Sequence, residues 1–173
     1  MKKIFLILAV ACFTALASGC ATQATSQAMT VLPGGLSANP NAELRGRITV
    51  TDVSGGKETN PLWVSQVGNL EFRKALEQSL ALSGFLAKSG TPQLSLSAEL
   101  VSLDQPVIGL TFDVTSVVNY KLHRDNTIEQ IPITATGSAS FSDSWVGSER
   151  MRIANERSIK KNIEELIRKL ASN

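Results

Sequence analysis

Thiols and imidazoles are nearly absent from this chain, which has two cysteines and one histidine. Cys12 falls in an apolar leader, so neither a disulfide framework nor a cysteine and histidine metal set can be assembled. Aromatic side chains make up only 5% of the residues, which counts against an aromatic-lined cleft for a lipid or a sugar. Past the leader no stretch approaches the ~20 apolar residues of a spanning helix. Charge of one sign is not in excess either, with 17 Lys and Arg against 15 Asp and Glu. Lys2 and Lys3 lie in the leader, and without them the formal charge is zero, which excludes the basic footprint of a nucleic-acid-binding domain.

What is present begins with that leader. Lys2 and Lys3 precede an apolar run, Ile4 to Leu16, of about a dozen residues, too short to span a bilayer, and small residues follow up to Cys20. This order is that of a secretory signal at residues 1–19. Its ending, LASGC at Leu16 to Cys20, resembles the lipobox of bacterial lipoproteins. The resemblance implies cleavage before Cys20 by signal peptidase II, a diacylglycerol thioether on the cysteine sulfur, and palmitate on the new N-terminus. Ala17 stands where leucine is usual, with Leu16 one step earlier. Ala21, in place of an aspartate, implies sorting to the outer membrane of a Gram-negative bacterium, on its periplasmic face. The plainer alternative, an ordinary secretory signal leaving Cys20 as a stray thiol, fits the small-small-Cys ending less well.

Residues 20–42 are rich in Ala, Thr, Gln, Ser, Asn, Pro and Gly, a composition that buries little surface. They read as a lipidated cysteine on a flexible tether with a reach on the order of 25 Å. Residues 43–173 are of a size for one domain.

Within it, Arg47 to Val53 alternates like a half-buried strand. Asn69 is placed to cap a helix bearing Phe72, Leu76 and Leu80, which Gly84 stops, with Phe85 folding back. Three period-two strands follow, Gln93 to Leu103, Leu110 to Leu122 and Ile128 to Phe141. Short connections at Asp104 to Gly109 and His123 to Thr127 imply an antiparallel meander. A long amphipathic helix starts at Ser148. The order β-α-β-β-β-α predicts an α+β two-layer sandwich, with two helices on one face of a four-stranded, mostly antiparallel sheet.

This order behind a lipobox, with NLEFRKALEQSL (Asn69 to Leu80) and RIANERSIKKNIEEL (Arg152 to Leu166) as scaffold helices, resembles small outer-membrane lipoproteins of the YajG-like and lipopolysaccharide-assembly type. The resemblance spans Cys20 to Asn173. It implies a location and an accessory or binding role, and brings no catalytic residues.

The residues themselves offer little chemistry. His123 reads as a turn residue beside Arg124 and Asp125. No G-x-S-x-G elbow occurs, and GFLAKSGT (Gly84 to Thr91) lacks the ending of a phosphate loop. Asp104 and Asp113 read as solvated carboxylates. Arg150, Arg157, Lys161 and Arg168 form a basic stripe on the last helix, although the pairs Lys160 with Glu164, Glu164 with Arg168, and Glu165 with Lys169 would neutralise much of it. Thr115, Thr134 and Thr136 lie on a hydroxyl-rich sheet face that water alone could satisfy. These seven residues are the candidate partner-binding set. Trp63 and Trp145 read as lids on the core.

The expectation is therefore a non-enzymatic, lipid-anchored periplasmic module of the cell envelope. It would need no cofactor or metal, would touch the membrane through Cys20, and would bind an envelope protein rather than nucleic acid. The alternative is a lipid- or glycan-binding carrier.

Overall fold

Alternating apolar residues and short breaks give the observed order of elements. In chain order they are α1 (Ser26–Met29), β1 (Ile48–Ser54), α2 (Asn69–Leu82), β2 (Leu94–Asp104), β3 (Phe112–Arg124), β4 (Thr127–Ala139) and α3 (Gly147–Ser172). The computed structural model describes residues 20–32, 43–62, 64–88 and 94–172. The signal at 1–19, residues 33–42 of the expected tether, Trp63, the loop at 89–93 and Asn173 lie outside the described residues.

The sheet has the order β1-β2-β3-β4. β1 and β2 are parallel, so the chain must cross over between them, and α2 is that crossover. The pairs β2 with β3 and β3 with β4 are antiparallel. The two-layer α+β sandwich expected from the sequence is the fold found.

Parity decides the layers. Leu96, Val118, Tyr120 and Ile133 point to the helices and are buried with Phe72, Leu76, Leu80, Ile159, Ile163 and Leu166. Each such side chain stabilises the fold by roughly 1.5–3 kcal/mol relative to exposure. Bulges between Val50 and Asp52 and between Leu100 and Ser102 shift the register, and Val101 is left exposed.

α2 ends in a Schellman motif. Phe85 N–H donates to Leu80 O at 2.8 Å and Gly84 N–H to Ala81 O at 3.1 Å, with Gly84 at φ +77° and Phe85 buried. Its start differs from expectation. Gly68 is the N-cap, and Asn69 Oδ1 instead accepts the Gly56 N–H at 2.7 Å, tying the helix to the loop after β1. His123 is also not in a turn. It pairs with Ser95 and Ile128 inside the sheet, because the hairpin closes in two residues with Asp125 at φ +46°.

The segment expected as a tether differs most. Ala21, Ala24, Met29 and Val31 are buried, so residues 20–32 pack on the domain. Thr25 N–H and Oγ1 both donate to the buried Glu156 carboxylate, at 2.9 and 3.1 Å. Ser26 N–H donates to Glu71, and Val31 N–H to Ser79 Oγ. Small and thin side chains fill the seam between α2 and α3, and the polar ones satisfy the backbone there.

α3 also carries polar groups into the core. Tyr120 OH donates to Asn162 Oδ1 at 3.0 Å, Asn162 Nδ2 reaches Ile133 O at 3.1 Å, and Ser158 Oγ bonds Ser116 Oγ at 2.8 Å. Burial pushes the Tyr120 hydroxyl far above its ordinary range, so it stays a neutral donor.

Candidate functional site

β4 is an edge strand, and α3 lies alongside it. Between them is an open groove of about 580 Å³. Thr134, Thr136, Lys161 and Arg168, all in the candidate set, line it together. Lys161 Nζ donates to Thr136 O at 2.9 Å, and Arg168 pairs with Glu165 of its own helix. Thr115 sits one strand back and shares a 2.9 Å hydroxyl hydrogen bond with Thr136.

Arg157 stands beside the groove but is engaged. Its guanidinium donates to Ser138 O at 2.7 Å and to Asp143 at 2.6 Å. That guanidinium, with the Ser140 N–H, holds the Asp143 carboxyl down at about 2. Arg150 does not belong to an exposed stripe. It is buried, with its guanidinium 4.1 Å from the Phe141 ring centroid and 5.1 Å from that of Phe112, donating to Ser144 O and Trp145 O. Helical periodicity put it on the basic side, while the rings that enclose it come from β3 and the loop after β4.

The two carboxylates weighed in the sequence remain apart in role. Asp104 ends β2 opposite Thr115, and Asp113 accepts a 2.5 Å hydrogen bond from Ser138 on the open face. Among the described residues no three His, Cys, Asp or Glu side chains gather as a metal set.

A second assembly forms at one end of the sheet. β1 and β2 are parallel, so the loop after β1, the loop joining β2 to β3 and the loop entering α3 all lie at this end. Cys20 is exposed there, with the adjacent Ala21 N–H donating to Pro61 O at 2.9 Å. Ser65 Oγ donates to Thr22 O at 2.6 Å. Gln105 then ties the loops: its amide donates to Ser65 O and Asn155 Oδ1, each at 2.8 Å, and accepts from Gln66 at 3.0 Å.

Trp145 stands at the same end and is no lid. It is 84% exposed, touching Phe141 at 5.5 Å between ring centroids. Sequence reasoning missed this end because apolar residues inside Pro- and Gly-bearing connections register only as turns.

No family profile and no curated protein matches the chain. Its fold is similar to XCC0632 of Xanthomonas campestris, of the DUF330 family, with a TM-score of 0.53 and 12% identity over 74% of this chain and 86% of that one. CT253 of Chlamydia trachomatis is similar at a TM-score of 0.50, with 15% identity over 75% of this chain and 100% of that one. A Caulobacter crescentus protein described as a candidate lipoprotein has a TM-score of 0.47 and 13% identity, over 71% and 88% of the two chains, a likeness too distant to carry an argument. At such identities the neighbours share an α+β fold with this chain, and a shared fold does not transfer an activity.

Proposed function

We propose that this chain is a non-enzymatic lipoprotein, anchored by acyl chains on Cys20 to the periplasmic face of the outer membrane, whose domain binds another envelope protein. The observation that carries the reading is Cys20 itself. It ends the LASGC signature, and its thiol is free and exposed where the chain meets the fold. Among the described residues no helix is long and apolar enough to cross a membrane, so the acyl chains would supply the attachment. The more specific kinship with YajG-like and lipopolysaccharide-assembly lipoproteins belongs to this proposal and rests on sequence alone.

The partner surface in this reading is the groove between β4 and α3, where the strand edge at Thr134 lies open and Lys161 and Arg168 offer positive charge, while the hydroxyls of Thr134 and Thr136 lie by strand parity on the sheet face away from α3. The carrier alternative has less to support it. The space between sheet and helices is occupied by Tyr120, Phe72, Leu76, Leu80, Ile159 and Ile163, all fully buried.

The test is metabolic labelling with a palmitate analogue and membrane fractionation of wild type and Cys20→Ala. We expect labelled outer-membrane protein that becomes soluble on mutation. Unlabelled wild type, or unchanged attachment of Cys20→Ala, would sink the anchor.

A further inference from the structure

The geometry points to a membrane-facing end of the domain, with the loops around Cys20 seated in the lipid interface; this rests on the acylation of Cys20 proposed above. Among the described residues, the large apolar side chains most exposed to solvent are Leu62, Val107, Ile108, Leu110 and Trp145, at 87, 94, 90, 72 and 84%. They come from three loops far apart in sequence, yet all three lie at the end of the sheet from which Cys20 emerges. Scattered exposed leucines need no explanation, but a concentration on one face does.

Two features commit the occupant to lipid. The first is the missing slack: Ala21, Ala24, Met29 and Val31 are buried in the fold, so acyl chains on Cys20 would enter the bilayer directly beside these loops. Tethered at zero distance, they have the bilayer as their standing neighbour. The second is the type of side chain. An exposed indole with branched aliphatic residues suits the boundary of headgroups and acyl chains, where tryptophan is enriched.

The loops are also braced for such seating. Gln105 holds the Val107 to Leu110 loop to Ser65 and Asn155, and Ser65 holds Thr22, two residues from the anchor. Arg150 packs on Phe141 and donates to Trp145 O, fixing the backbone under the indole. With this end in the interface, the strands stand away from the membrane, and the β4 groove opens sideways into the periplasm.

The experiment uses the full acylated protein in vesicles of phosphatidylethanolamine and phosphatidylglycerol, with and without brominated acyl chains. An environment-sensitive fluorophore is placed at Ile108→Cys or, at the opposite end of the sheet, at Ile128→Cys. Trp145 emission, read in a Trp63→Phe background, gives a second site that does not depend on the label. We expect brominated lipid to quench Ile108 and Trp145 and to leave Ile128 unchanged. Acylated, vesicle-bound protein with no quenching at Ile108 and Trp145 overturns the orientation and leaves the anchor standing; that outcome would assign the apolar loops to a protein partner instead. Protein without an acyl chain on Cys20 overturns the anchor and this inference with it.

Discussion

Gly137 decides how closely α3 can lie on the sheet. A Cβ there would run into the backbone of Ala154, Arg157 and Ser158, which cannot swing aside as a side-chain end would. The close approach in turn lets Ser158 Oγ reach Ala135 O at 3.0 Å and Asn162 Nδ2 reach Ile133 O. Gly137→Ala is expected to push α3 off β4 and destabilise the domain by about 3 kcal/mol, with the Tyr120 and Asn162 hydrogen bond weakened as well. Urea unfolding of the two proteins checks this, and an unchanged midpoint would mean that α3 has slack the geometry does not reveal. The need for glycine is invisible in the sequence, where GSAS reads as an ordinary small-residue strand. The polar positions Asn155, Ser158 and Asn162, by contrast, fall among the apolar ones of α3 and could have marked a buried polar seam.

Among the elements, the N-terminal segment is held by acids on two different helices. Glu156 of α3 takes both donors of Thr25, while Glu71 of α2 accepts from Ser26 N–H at 3.0 Å and Lys74 Nζ at 2.7 Å. The Lys74 ammonium, followed by the Ser26 donors, holds the Glu71 carboxyl down at about 2 against an ordinary 4.5. A depressed folded value means that this stabilisation is present above about pH 4.5 and is lost as pH falls toward 2. Glu71 is half-buried but its partner Lys74 is exposed, so screening holds the effect to about 1 kcal/mol. The protection factors of the Ser26 to Val31 amides, taken relative to the intrinsic exchange rate at each pH, should therefore fall across that acid window, and Glu71→Gln should flatten the response; parallel curves would remove Glu71 from the account. The four strands and two long helices were legible because period two and period 3.6 are local signals, with boundaries off by a residue or two. The docking of residues 20–32 was not. Ala21, Ala24, Met29 and Val31 are too sparse among Thr, Gln and Ser to announce a buried face. What buries them is a seam made by two helices distant in the chain.

For the whole molecule, the open question of any sheet protein is what becomes of its edges. On β4 the answer is divided. Arg157 and Lys161 of α3 occupy the carbonyls of Ser138 and Thr136. Thr134 and Pro132 share the parity of those residues, and Pro132 brings no N–H to offer. Two charged side chains and one proline thus close most of the strand to a second copy of the chain, while Thr134 stays open in the groove. Such a gap is too short to extend a sheet along, and under the proposed function it would take only a few residues of a partner, between Lys161 and Arg168. The candidate residues of the sequence were legible here as types, hydroxyls on a sheet face and cations on a helix, but not as neighbours, since only the packing of α3 beside the edge strand joins them. Combining Pro132→Thr, Arg157→Ser and Lys161→Ser should restore a continuous edge with free donors and acceptors. The variant is expected to show a higher, concentration-dependent mass by light scattering than wild type at the same concentration, with circular dichroism confirming that it still folds. If a folded variant keeps the wild-type mass, α3 shields the edge by its bulk alone, and the polar contacts from Arg157 and Lys161 serve only to hold the helix in place.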